Sequence, residues 1–344
     1  MAFQDVNKQR QVKSDLKVKR TVYREPENPV RFAYEKLLRE QARTRQVFME
    51  IDPYVEVYTF RENIKCIYTL SLDGMGDSWI FLIEGPQRAL LIDTSFGLGD
   101  LKGLVEHLLN GKPFDVVNTH AHFDHCYGNY QFDKVYCHEY EVPLLKTKLT
   151  PHVWDFLFDE NGKGIWAEFP REDLVPYREY EIIGVPDGYV FDLGEGYEVE
   201  LIHLPGHSAG HAAFLDRKSR ILFPGDDCCV GAAGVGDGPK PGLPYGEYYT
   251  VEALTEKLRT LVQRMDEFDS MFPSHGPLET GPIMLVSLLE TCEEVLADPS
   301  CYDFQTERER DGIKKTLYGR RIFESGYVQY SKYGVYKGRI ADIT

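Results

Sequence analysis

Four side chains able to bind a metal ion fall within six consecutive residues, His120-Ala121-His122-Phe123-Asp124-His125, directly after the β-like run FDVVN and just before Gly128. In an extended segment, residues two apart face the same way, so His120 and His122 can grip one ion through imidazole nitrogens. Asp124 and His125 sit where the chain bends away and can point toward a second ion. One motif cannot complete two coordination shells, so any fold of this chain has to bring further ligands to the same strand end. Three candidates stand at later strand ends, each beside Gly or Pro residues that turn the chain sharply: His207 in LPGHSAGH, Asp226 in LFPGDD and His275 in FPSHG. An isolated histidine is usually a packed or solvated residue, and His138, His203 and His211 are read that way, His138 at the surface and His211 as a candidate partner of a ligand. Imidazole with carboxylate suits zinc first and also accommodates iron or manganese.

The rest of the chain supplies strand ends in the required number. From Tyr54, short β-rich runs (YVEVYTF, KCIYTLSL, WIFLIEG, ALLIDTS) are broken by DGMGD and GPQ turn signals. A one-face helical pattern follows at Leu101, Leu104, Val105, Leu108 and Leu109, and EYEVPLLKTKL predicts another short helix. The second half repeats the plan: strands at YEVELIHL, AAFLD and RILFPGD, then a helix with Val251, Leu254, Leu258, Leu261, Val262 and Met265 on one face. A short FDSMFP strand and a helix around residues 281–297 close it. The expectation is an α/β protein in which two packed sheets lie between helical outer layers, a four-layer αββα sandwich. Residues 1–53 read as an arm and helix, 54–300 as the catalytic domain, and 301–344 as an aromatic extension that covers the domain or meets another subunit. Tyr327, Tyr330, Tyr333 and Tyr336 recur there at intervals of three, as core packing or as a pocket cover. Residues 151–170, with Trp154, Phe156, Phe158 and Trp166, and the Gly/Pro-rich 230–247 are candidate pocket walls suited to an apolar or ring-containing small molecule.

Charge narrows the substrate. The formal net charge is −16, and residues 46–305 carry 18 Lys and Arg against 44 Asp and Glu, so the body repels a phosphate backbone and a nucleic-acid substrate is disfavoured. Seven cysteines without C-x-x-C spacing indicate neither a disulfide framework nor a zinc knuckle, and most read as small apolar fillers. The charged opening stretch lacks an apolar signal region and no later window is apolar enough to span a bilayer, which predicts a cytoplasmic protein without membrane attachment. A homodimer is a candidate assembly.

The set His120/His122, Asp124/His125, His207, Asp226 and His275, in this order, resembles the metallo-β-lactamase superfamily over roughly residues 75–300. The resemblance implies that His120, His122 and His207 bind one metal, that Asp124, His125 and His275 bind a second, and that Asp226 bridges two Zn2+. Asp93 in LLIDTS would orient a ligand histidine. It further implies a dinuclear hydrolase of a small ester, lactone or thioester, in which water ionised between the ions is the nucleophile and Asp124 and Asp226 take part in catalysis. Departures refine this. Relatives with two zincs that open β-lactams commonly have Cys or Ser at the position of Asp226, and lactonase relatives have Tyr where Cys229 stands, with Tyr245, Tyr248 or Tyr249 as candidate substitutes. The PGHSAGH and LFPGD segments are similar to glyoxalase II enzymes, whose C-terminal region is not recognisable here. The alternative is a mononuclear iron dioxygenase acting on a persulfide through His120, His207 and Asp226; a β-lactamase, a phosphodiesterase and a non-catalytic binding protein rank below it.

Overall fold

A computed structural model describes residues 43–343 except 74–75, 311–312 and 324–325, so the arm and most of the helix expected before residue 53 lie outside the described residues. The described residues divide into two compact units that interleave along the sequence: those between 43 and 118, 122–135 and 147–181 form the first, and those in 119–121, 136–146 and 182–343 the second.

In the first unit six strands pair in sequence order: β1 (Gln46–Phe48), β2 (Asp52–Arg61), β3 (Ile64–Thr69), β4 (Ser78–Glu84), β5 (Ala89–Ile92) and β6 (Phe114–Val117). Neighbours are antiparallel except β5 and β6, which run parallel. A parallel pair needs a crossover, and α1 (Leu101–Leu109) provides it. The Asp100 carboxylate accepts the Gly103 N–H at 2.8 Å to start this helix, and Asn110 ends it in the left-handed conformation. Leu101, Leu104, Val105 and Leu109 are buried, as their spacing predicts. Because β5 and β6 point the same way, Asp93 and Asn118 leave the sheet at one edge, where the Asp93 N–H donates to the Val117 carbonyl at 2.8 Å. The short helix α2 (Phe123–Cys126) belongs to this unit.

The second unit takes most of β7 (Lys134–His138), then α3 (Val142–Lys146), most of β8 (Glu181–Val185), β9 (Val190–Asp192), β10 (Glu198–His203), β11 (Ala212–Asp216) and β12 (Ile221–Phe223). There follow β13 (Gly231–Gly234), α4 (Val251–Val262), β14 (Ser270–Met271), α5 (Ile283–Ala297), β15 (Phe304–Arg310), β16 (Ile313–Ile322) and β17 (Gly326–Tyr330). One sheet has the order β14-β12-β11-β10-β9, the other β13-β17-β16-β15. The Thr250 hydroxyl caps α4 by accepting the Ala253 N–H at 3.2 Å. Val251, Leu254, Leu258 and Leu261 of α4 join Leu285, Leu288, Cys292 and Val295 of α5 in one core with Ile322, Val328 and Tyr330. The mixed α/β class with more than one sheet is as the sequence predicts.

Two readings of isolated residues resolve toward packing. Of the spaced tyrosines, Tyr330 donates its hydroxyl to the Pro299 carbonyl at 3.0 Å and Tyr336 to that of Leu296 at 2.7 Å, so both are fixed within the unit, while Tyr333 is exposed. His138, expected at the surface, is buried and stacks flat on buried His203, ring centres 3.9 Å apart. The correction has a simple cause: β7 ends under cover, so alternation along it no longer separates inside from outside. The His203 Nε2–H donates to the Ala209 carbonyl at 2.8 Å. Burial pushes His138 down to about 3 and His203 down to about 4. The unfolded chain takes up these protons near pH 6.5, so it binds more protons than the folded one between that pH and the lowered values. Stability from this pair is whole above about pH 6.5 and declines as pH falls through the window, by about 2 kcal/mol per ring at pH 5. Urea unfolding at pH 7 and pH 5 checks this: His203→Gln should show a smaller pH difference than the wild type, and an equal one contradicts it.

None of the seven cysteines forms a disulfide and six are buried, consistent with apolar filling. No helix among the described residues is long and apolar enough to cross a membrane.

Candidate metal centre

Within the second unit, three imidazoles face one carboxylate. His120 Nε2 lies 3.8 Å and His207 Nε2 3.5 Å from Asp226 Oδ2, and His275 Nε2 lies 3.5 Å from the other oxygen, Oδ1. Local hydrogen bonds explain why Nε2 is the exposed nitrogen on two of them. The Nδ1 of His120 is engaged by the Thr119 hydroxyl at 3.0 Å, and Nδ1–H of His207 donates to the Gly234 carbonyl at 2.9 Å. Burial lowers the His207 pKa, which keeps the ring neutral and its Nε2 lone pair available.

The first unit presents a second group. His122 caps the start of α2, and Asp124 and His125 lie within it. The His125 Nδ1–H donates to the Asp93 carboxylate at 2.9 Å, while its Nε2 is 3.4 Å from Asp124 Oδ2. Asp93 holds the left-handed conformation, φ 66°, which aspartate tolerates better than most residues, and so backs the ring as the resemblance implies. The His125 carbonyl is held as firmly as its ring: it accepts the Thr94 N–H at 2.8 Å, the Thr94 hydroxyl at 3.1 Å and the Asn118 amide at 3.0 Å.

The spacing tests whether a metal fits. Ligand atoms about 2.0–2.1 Å from a shared ion in tetrahedral geometry lie roughly 3.3–3.5 Å from one another. The Nε2 to carboxylate distances are longer than hydrogen bonds; those of 3.4, 3.5 and 3.5 Å match that separation, and the one from His120, 3.8 Å, slightly exceeds it. A neutral imidazole and carboxylate donor set, with the far ring nitrogens engaged, is what a divalent ion needs.

Two side chains support these candidate ligands: Glu141, which sequence reading missed, and His211, which it singled out as a candidate partner of a ligand. Glu141, fully buried just before α3, accepts the Ala121 N–H at 2.7 Å on Oε1, and the Ser208 hydroxyl and Gly210 N–H on Oε2, both at 2.8 Å. One carboxylate thus ties the residue after His120 to the loop after His207. His211 accepts the Asp226 N–H on Nε2 at 3.1 Å, with Nδ1 2.8 Å from buried Asp227. Gly225 is required beside it, because its φ is 61° and a Cβ there would sit 2.4 Å from His211 Nε2. Replacing Glu141 by Ala strips three buried donors of their acceptor, so Glu141→Ala should cost on the order of 4 kcal/mol of stability and weaken metal binding. Denaturant unfolding and metal titration read the two effects; a variant as stable as the wild type contradicts it.

Other expected contributors are placed differently. Trp154 is buried, donating its Nε1–H to the Phe96 carbonyl at 2.8 Å, so it is core rather than wall; Phe156 lies against Phe123 of α2, ring centres 5.3 Å apart. Tyr249 is buried, and Tyr245 and Tyr248 pack on Tyr140 with centres 4.4 and 5.0 Å away. Cys229 is buried, which raises its thiol well above the usual range.

The sequence profile of the metallo-beta-lactamase superfamily matches residues 73–265. The chain is 29% identical over 213 residues to acyl-coenzyme A thioesterase MBLAC2 of Bos taurus, a match covering 57% of this chain and 72% of that one. It is 30% identical over 206 residues to hydroxyacylglutathione hydrolase GloC of Haemophilus influenzae, covering 57% and 84%. A solved metallo-beta-lactamase from Pontibacter korlensis covers 70% of this chain and 99% of its own at 19% identity and a TM-score of 0.47. The chain belongs to the metallo-β-lactamase superfamily.

Proposed function

We propose that this enzyme is a metal-dependent hydrolase of small acyl thioesters. In this reading His120, His122 and His207 hold one divalent ion, Asp124, His125 and His275 a second, and Asp226 spans both. The observation that carries it is the arrangement on Asp226: two imidazole Nε2 atoms face Oδ2 and a third faces Oδ1, at ligand rather than hydrogen-bond spacing. Divalent ions held there supply a nucleophile from water near neutral pH and polarise a carbonyl oxygen. The protein's own part is to aim the imidazoles, through the Asp93 carboxylate on His125 and the Gly234 carbonyl on His207, while burial keeps His207 neutral. Asp124 Oδ2, beside His125 Nε2, is placed to accept the proton released by the attacking water. The thioester class is supported by relatives named for acyl-coenzyme A and hydroxyacylglutathione, both acyl thiols. Zinc is the first metal to try, followed by iron and manganese.

The test is a panel of thioester, oxyester, lactone, β-lactam and phosphodiester substrates on metal-loaded protein, with elemental analysis. Thioesters should turn over fastest with two metals per chain. One iron per chain with thiol-dependent oxygen uptake would instead select the persulfide dioxygenase reading, and no acyl hydrolysis at all would end the proposal.

A further inference from the structure

Strands β15 to β17 of the C-terminal sheet lie beyond the span matched by the family profile, yet the sheet's fourth strand, β13, reaches a proposed ligand. β13 reads Gly-Ala-Ala-Gly, and of its side chains only Ala233 is buried. A strand so small cannot anchor itself by burying apolar surface. Its place is set by parallel pairing with β17, Gly231 to Gly326 through Gly234 to Gln329. β17 is itself well anchored, since Val328 and Tyr330 are fully buried in the core shared with α4 and α5. The two strands touch closely: a Cβ on Gly326 would lie 1.8 Å from the Gly231 carbonyl oxygen. Just past β13, the Gly236 N–H donates to the Gly206 carbonyl at 3.2 Å, and the Gly236 carbonyl accepts the Ser331 N–H at 2.9 Å. Residues 231–236 are therefore held between the loop bearing His207 and the C-terminal segment.

We infer that the C-terminal sheet is a positioning element of the metal centre: by holding β13 in register, β17 places the Gly234 carbonyl that fixes His207 with Nε2 outward. A carbonyl on Nδ1–H sets both the tautomer and the orientation of a ligand imidazole, and loss of such a partner typically costs 10–100-fold in metal affinity. This rests on reading His207 as a ligand.

Gly326→Ala drives a methyl into the β13 backbone and tests the inference. Val328→Ala, which loosens β17 without that clash, carries the comparison if the first variant does not fold. Leu317→Ala is the control, because Leu317 is buried and pairs with Thr306 of β15, outside the β16–β17 register. Three quantities are measured: the His207 tautomer in metal-free protein by NMR of 15N-labelled histidine, the zinc dissociation constant against a chromophoric chelator, and the melting temperature. The β17 variants should give a mixed tautomer and about 10–100-fold weaker zinc binding, whereas Leu317→Ala lowers the melting temperature without either change. The inference is overturned if the β17 variants melt earlier but keep the wild-type tautomer and zinc affinity. Should the wild type bind no zinc, the ligand reading fails by itself, and the tautomer comparison in metal-free protein still decides the role of the sheet.

Discussion

Asp226→Asn should lower kcat/KM for the best thioester by about 10³-fold while the protein remains folded. Both oxygens of this carboxylate face imidazoles, and amide substitution keeps the shape while removing the negative charge and replacing one oxygen by a donor. The proposed ions would lose the anion that offsets their mutual repulsion, which at such short range is large even at moderate dielectric. A loss of several kcal/mol of charge stabilisation corresponds to the stated factor, since each 1.36 kcal/mol is tenfold. Steady-state kinetics and metal content per chain check it together. The metal count should fall from two, and a kcat/KM close to the wild type with two metals retained would remove Asp226 from the centre.

Exhaustive dialysis against a strong chelator is the second large effect, and it should abolish activity and lower the melting temperature by about 5–10 °C. A ligand that binds only the folded state contributes about 4 kcal/mol at a thousand times its dissociation constant, and a chain of this size loses roughly 2 °C or more per kcal/mol. The structural reason is local. Three imidazoles and a carboxylate are gathered at 3.5 to 3.8 Å, longer than a well-formed hydrogen bond. Calorimetry before and after dialysis, with zinc added back, measures it, and a chelated protein that melts and turns over unchanged would rule out a metal centre.

The ligands were legible in the sequence because their chemistry is compressed or punctuated. His120 to His125 is a dense cluster, and His207, Asp226 and His275 each sit beside Gly or Pro at a strand end. Of their supports, Asp93 is implied by the resemblance and His211 singled out by its position, but Glu141 and β13 are not legible. Glu141 acts on the N–H groups of Ala121 and Gly210, and no pattern of side chains records where a distant main-chain donor points. β13 was read as loop because Gly-Ala-Ala-Gly has poor strand propensity; it is a strand because β17 pairs with it. His138 was misplaced because a single polar residue at the end of a strand gives no sign that the strand is covered there.

The span that can be recognised and the span that can fold are different lengths of this chain. A fragment cut at residue 265, where the family likeness stops, would lack α5 and β17, and with them Leu285, Leu288, Val295, Val328 and Tyr330 of the core. It would also lack His275. Such a fragment would expose the apolar face of α4 and precipitate, so swapping this catalytic region into another scaffold requires carrying its tail as well.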